Sequence, residues 1–190
     1  MPLYPSRTVL TDQFATANAA TPRIHNMNRD AANSALALTS GKVQYSGFTA
    51  QATVPITTLY CPIRSVAAAT ITLARLGLYT VAADGSITLV ARGASSTTLG
   101  NATFTLASQT LDTTGGFPAS YTIQYGQRYA FGCIWVATTA PTVYGGGVQA
   151  TAAAWLPWIA MAQSSQSDLP TSTAIGSLSV EANIPFQAAA

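Results

Sequence analysis

The side chains that could move a proton, attack a substrate or hold a metal are few. They are His25, Glu181, five aspartates (Asp12, Asp30, Asp84, Asp112 and Asp168) and the thiols Cys61 and Cys133. Acid–base catalysis needs titrating groups held in place. A nucleophile–histidine–acid set needs a histidine, and His25 lies in a proline-broken N-terminal stretch, where it reads as a surface or interface residue. Asp84 precedes Gly85, and Asp112 precedes Thr113-Thr114-Gly115-Gly116, so both read as turn residues. Paired carboxylates for glycoside cleavage would have to converge from turns and chain ends. No Gly-x-Ser-x-Gly elbow, phosphate loop or His-Glu-x-x-His pair occurs. Calcium wants several clustered oxygens, usually carboxylates, and the acids here are scattered. The cysteines lack metal spacing and lie in apolar runs, which suits buried thiols, with a disulfide as the alternative. The sequence therefore predicts no catalytic residue, metal ligand or cofactor, and a protein that is not an enzyme.

Binding residues are easier to nominate. Tyr144, Trp155 and Trp158 fall in or beside the stretch around Gly145-Gly146-Gly147, which reads as a loop. Flat rings outside regular strands can stack on sugars, such as a cell-surface glycan. They can equally pack beneath the body or at a subunit interface, since Trp is mostly buried. Tyr125 and Tyr129 straddle a strand entry and read as core or corner residues. Arg75, Arg92 and Arg128 read as interface residues or solvated strand residues.

These residues sit in a chain of 190 residues, 48% hydrophobic and only 7% charged. Ordinary soluble domains carry roughly 25% charged residues. So apolar a chain is not of the charged, disordered kind. Lys42 is the sole lysine, and the arginines are scattered, which argues against a nucleic-acid binder. The most apolar stretch, 152–162, is shorter than the roughly 20 residues a membrane-spanning helix needs. Residues 1–7 lack the apolar core of a secretory signal, which predicts a protein made in the cytoplasm of the producing cell without a signal peptide. A surface with few charges lacks the usual defence against association. Much of it is expected to meet protein, in an oligomer or a larger particle.

Residues 1–33 differ from the rest. Pro2, Pro5 and Pro22 break helices, and Arg7, Arg23, His25 and Arg29 could anchor an arm to a neighbour. From Ser34 to Ala190 the pattern is that of a β body. Residues 42–48 alternate, with Val43 and Tyr45 on one face. Residues 75–81 and 87–90 flank Asp84-Gly85, which predicts an antiparallel hairpin with a tight type I′ turn or, given the extra Ala82-Ala83, a longer loop. Thr103–Ala107 alternates and should be half buried; 128–136 is the most strongly β run, as in a central sandwich strand. Residues 164–173 read as a polar loop, 176–180 as a closing strand, and the end as a small-residue tail. Seven or eight short strands point to an antiparallel β-sandwich or jelly roll.

Three stretches carry a resemblance: Ala35-Leu-Ala-Leu-Thr-Ser-Gly-Lys42, Ala74-Arg-Leu-Gly-Leu-Tyr79 before the Asp-Gly turn, and Tyr121-Thr-Ile-Gln-Tyr-Gly-Gln-Arg-Tyr129. Their order and spacing over residues 34–140 resemble β-sandwich virion proteins of tailed bacteriophages: minor tail proteins, fibres and capsid decoration proteins. The Ala-rich, Arg-over-Lys usage looks like a phage of a GC-rich host. The 155–158 segment and the 187–190 tail fall outside the pattern. The resemblance implies a jelly-roll body, a homotrimer and a place on the virion surface beside other tail or capsid proteins. It brings no catalytic residue. A tail or fibre role aiding host attachment leads, with capsid decoration next and a stand-alone carbohydrate-binding module third.

Overall fold

The computed structural model describes residues 24–27, 32, 34–147 and 159–190. Its architecture follows from the strand with the strongest period-two pattern. In β10 (Arg128–Thr139), Tyr129, Phe131, Cys133 and Trp135 face one core, while Ala130 and Ile134 face another. A strand can be apolar on both sides only if both are covered, which places β10 at the centre of a sheet. It lies between β3 (Val43–Thr49) and β6 (Ala69–Val81). The main sheet has seven antiparallel strands: β13 (Ser172–Thr173), β7 (Ile87–Arg92), β6, β10, β3, β12 (Ala160–Gln163) and β14 (Ser179–Val180).

Three smaller antiparallel sheets complete the described residues. One runs β1 (Ile24–His25), β16 (Ala188–Ala189), β5 (Thr58–Pro62), β8 (Leu106–Thr110). Another runs β15 (Asn183–Pro185), β11 (Thr142–Gly147), β2 (Ser34–Ala37), and the third pairs β4 (Val54–Ile56) with β9 (Tyr121–Ile123). Phe48, Leu76, Leu78, Phe131 and Trp135 of the main sheet pack with Leu59, Ile56, Ile123, Val143 and Ala189 of the smaller sheets to form the first core. The second core, around Tyr45, Tyr79, Ile87 and Ile134, is closed by Leu169 from the connection after β12. The chain is thus all-β, an antiparallel sandwich as the sequence predicts. No described helix is long and apolar enough to cross a membrane.

Several local expectations change. The turn between β6 and β7 is longer than a type I′ turn. Ala82 O accepts from Gly85 N at 3.0 Å, and only Gly85 is left-handed, at φ +83°. Asp84 is a turn residue as read, its carboxylate accepting from the Ser86 N–H and hydroxyl. Tyr129 is a buried corner residue whose hydroxyl accepts from Gln124 N at 3.0 Å. Tyr125 is instead 69% exposed, at the tip of the turn into β10. The half-buried strand expected over 103–107 is displaced. Phe104 sits outside it at φ +54°, β8 starts at Leu106, and both side chains point outward. Their register is set by a buried polar residue, Gln109. Its side chain accepts from Leu76 N and donates to Ala74 O and Ala94 O, which puts Ala107 and Gln109 inside.

The closing strand expected over 176–180 is a single 3-10 turn, Ile175–Ser177, followed by the two-residue edge strand β14. The small-residue tail is buried, as β16. The boundary expected between arm and body at residue 33 also moves. Ile24 and His25 already pair with Ala189 and Ala188, and Ile24 enters the first core. Arg7, Arg23 and Arg29 lie outside the described residues.

Gly145-Gly146-Gly147 is strand, not loop, pairing with β15, and at Gly145 β15 and β2 crowd β11 from both sides. A Cβ on Gly145 would lie 2.6 Å from Ile184 O and 3.1 Å from Leu36 Cβ. The first is a backbone atom that cannot swing away. Gly145→Ala is therefore expected to destabilise the chain by about 1–3 kcal/mol in urea denaturation, the cost of overpacking. Gly147→Ala, whose Cβ would meet only Asn183 Oδ1 at 3.7 Å, is the control and should cost less.

Candidate functional site

Where the four-stranded and three-stranded sheets meet, an aromatic cleft of about 410 Å³ opens on the surface. Strand alternation builds it. In β11, Val143 points into the first core, so Tyr144 points out into the cleft. In β5, Leu59 and Cys61 face inward and leave Tyr60 and Pro62 outside, with Ile63 below them. Ala188 sits opposite Tyr60 across the β16–β5 ladder, and Leu106 sits opposite Pro62. Phe186 is held beside Tyr144 because its N–H donates to Tyr144 O at 2.8 Å. Phe104 and Thr105 complete the wall. Arg64 stands at the rim, its guanidinium 5.4 Å from the centre of the Tyr144 ring, a cation–π distance. Its backbone is fixed on both sides, Arg64 N donating to Thr142 O and Arg64 O accepting from Phe104 N.

The lining is chemically quiet. Among the described residues, its polar side-chain groups are the hydroxyls of Tyr60, Thr105 and Tyr144, with no carboxylate, carboxamide or imidazole. What it offers is ring faces and apolar area. Phe104 is 71% exposed and Leu106 50%, so the apolar surface continues past the mouth.

The charged residues gather elsewhere. Arg75, expected at an interface or in solvent, is buried on the second-core side and ion-paired with Asp168. Arg92 Nη1 lies 4.0 Å from the same carboxylate oxygen, and its guanidinium stacks 4.6 Å from the Phe117 ring centre. Arg92 also donates to Thr114 O at 3.2 Å. The neighbouring Asp112 accepts from the Thr114 N–H and hydroxyl, and these bonds hold its carboxyl below the usual range. This cluster ties two connections to β6 and β7. No group of three His, Cys, Asp or Glu among the described residues could hold a metal. Cys61 and Cys133 are free and buried. A hydrogen bond between them, together with burial, pushes the Cys61 thiol well above its ordinary value, which makes it a poor nucleophile.

Of the nominated binding residues, the structure puts Tyr144 in the cleft and His25 at its edge, the His25 ring 6.0 Å from that of Phe186. Trp155 and Trp158 lie outside the described residues. The sequence pattern does not single out Tyr60, Phe104, Leu106 or Phe186 as binding residues. The signal for Tyr60 was present in the alternation of 58–62, whereas that for Phe186 depended on a strand that small residues concealed. In comparison with known proteins, no family model matches the chain, and no curated protein does either.

Proposed function

We propose that the chain is a structural subunit of a tailed-phage virion, a non-enzymatic protein that works by packing against copies of itself and against other particle proteins. The observation that carries this reading is the exposed Phe104–Leu106 surface running into the cleft, on a chain with only eight basic and six acidic residues. Contiguous apolar surface of this kind marks contact with protein, and sparse charge leaves little to keep copies apart. The phage assignment rests on the resemblance of residues 34–140. Within the virion, a trimeric minor tail or fibre protein that helps reach the host leads, and capsid decoration is the alternative. A carbohydrate-binding module draws support from Tyr144 in the cleft, but among the described residues the lining has none of the carboxylates or carboxamides that usually bind sugar hydroxyls.

Sedimentation velocity tests the assembly. The purified chain is expected to run as a trimer, and Phe104→Glu/Leu106→Glu as a monomer with an unchanged circular dichroism spectrum, since both side chains are outside the core. A wild-type monomer at tens of micromolar sinks the proposal. Density for the protein in images of the intact particle then separates the placements, with capsid threefold positions meaning decoration and tail-axis positions meaning tail or fibre.

A further inference from the structure

We infer that the occupant of the aromatic cleft is the segment Pro2-Leu3-Tyr4-Pro5 of a neighbouring copy. The inference rests on the assembly reading above and adds to it the contact that links one subunit to the next.

Three observations lead there. The first is the chemistry of the cleft. Tyr60, Phe104, Tyr144 and Phe186 present rings, and the tyrosine and threonine hydroxyls are the polar side-chain groups among them. Aromatic-lined grooves with a few hydroxyl donors suit a polyproline II strand. Its proline rings lie flat on aromatic faces, and its carbonyls, unbonded within the helix, accept from hydroxyls at the groove. A volume of about 410 Å³ is near the lower end of ligand pockets, which span roughly 300–1,000 Å³, and suits a few residues.

The second is the sequence. Of the ten prolines, only Pro2 and Pro5 are spaced by three, the repeat that returns both rings to one face of a three-residue-per-turn helix. Leu3 and Tyr4 between them are apolar or aromatic, and no charge occurs before Arg7.

The third is where the described chain begins. Ile24 and His25 form the outer strand of the sheet that supplies Tyr60 and Ala188 to the cleft, and the His25 ring stands against Phe186. The described chain thus begins at the cleft's edge. The stretch from Pro5 to Ile24 can reach roughly 60 Å when extended, far enough to cross to an adjacent subunit. Phe104 and Leu106, beside the cleft, are where the assembly reading puts that subunit.

The test uses the full chain carrying Ser6→Cys, just past the segment, and Thr105→Cys in the cleft wall, which leaves the rings of the cleft and the Phe104–Leu106 surface in place. Cys61 and Cys133 are buried and do not compete for the link. After mild oxidation, a non-reducing gel should show covalently linked chains. In a Pro2→Ala/Pro5→Ala background, which loosens the preorganised segment, the linked fraction should fall about tenfold. A link confined within single chains, no link at all, or an undiminished link in the proline variant each overturns the inference. So does binding to a glycan array that Tyr144→Ala abolishes with the oligomer intact. Sedimentation of the same samples separates the two levels. An unlinked trimer removes the cleft contact and leaves the assembly standing, whereas a monomer removes both.

Discussion

Asp168→Ala is expected to lower the unfolding free energy by about 2–4 kcal/mol. The Arg75 side chain is 8% exposed, and Asp168 is its ion-pair partner among the described residues. Its Nε already lacks a hydrogen-bond partner, so the guanidinium has little to fall back on. Removing one member of a buried pair leaves an uncompensated charge, which typically costs roughly 3–5 kcal/mol. The figure here is set lower because Asp168 is 40% exposed, so water and ions already screen part of the attraction. The same carboxylate lies 4.0 Å from Arg92 and accepts from Leu169 N at 2.7 Å, so its loss also loosens the residue that closes the second core. Thermal melts should show a drop of about 5–12 °C for a chain of this size. Asp168→Asn, which keeps an oxygen for Leu169 N but not the charge, should fall between. The double change Arg75→Met/Asp168→Leu should recover most of the loss, because an apolar pair of similar volume removes the buried charge altogether. A loss under about 0.5 kcal/mol in Asp168→Ala would mean that Arg75 finds solvent, and the buried cluster would not hold the connection as argued.

What could be read from the sequence was local. The alternation of 128–136 gave the central strand because period two is a property of neighbours in sequence, and Asp84-Gly85 marked the hairpin because turn chemistry is equally local. The errors came where burial was decided by distant partners. Gly145 reads as loop until Ile184 O, some forty positions later, is found where its Cβ would go. Phe104 and Leu106 read as the inner residues of an alternating strand, but Gln109 takes the inner face because its carboxamide satisfies backbone groups of β6 and of Ala94. Of the cleft, Tyr144 was legible as an aromatic outside the core pattern. Its companions come from β5, from the 104–106 segment and from the two ends of the β15–β16 connection, and no spacing in the chain announces that they meet. Arg75 was misplaced for a related reason. Asp168 lies 93 positions away, and an arginine in a strand gives no sign of a buried partner.

The scarcity of charge reaches inside the molecule as well. Apart from the Arg75 cluster, the buried polar residues are neutral: Gln44, Ser46, Gln109, Thr142, Thr173 and Gln187. Gln109 stitches β8 to β6, and Gln187 joins the C-terminal segment to the main sheet by accepting from the Ser46 hydroxyl at 2.9 Å. Neutral hydrogen-bonding side chains thus do the cross-linking that ion pairs would otherwise do, without the desolvation cost of a buried charge.

That dependence makes residues 187–190 a sensitive segment, although their sequence is Gln-Ala-Ala-Ala. Their removal is expected to abolish the cooperative unfolding transition. β16 is an inner strand, flanked by β1 and β5, so deleting it orphans both neighbours. Thr57 N and Thr58 N lose their acceptor, Ala190 O, at 2.7 and 2.8 Å; Thr58 O loses the Ala190 N–H at 3.0 Å. Asn26 loses its bonds to the Gln187 backbone, and Ser46 loses its side-chain acceptor. Ser46 is fully buried, and a buried polar group left without a partner costs roughly 1–3 kcal/mol; Thr58 and Asn26 are half-buried and Thr57 exposed, so water replaces part of what they lose. Ile24, released with β1, withdraws from the first core, and the cleft loses Ala188. With the burial of Ala188, Ala189 and Ile24 also lost, the total is a large part of the roughly 5–15 kcal/mol that holds a typical domain folded. The expected outcome is poor soluble yield and a melt without a sigmoidal transition. Gln187→Ala, which removes the Ser46 bond and leaves the ladder, should cost only about 1–2 kcal/mol. A truncated chain melting within about 2 °C of the full one would show that β1 and β5 do not need the strand between them, which no pairing of their exposed edges with water could explain given how deeply Leu59 and Cys61 are buried.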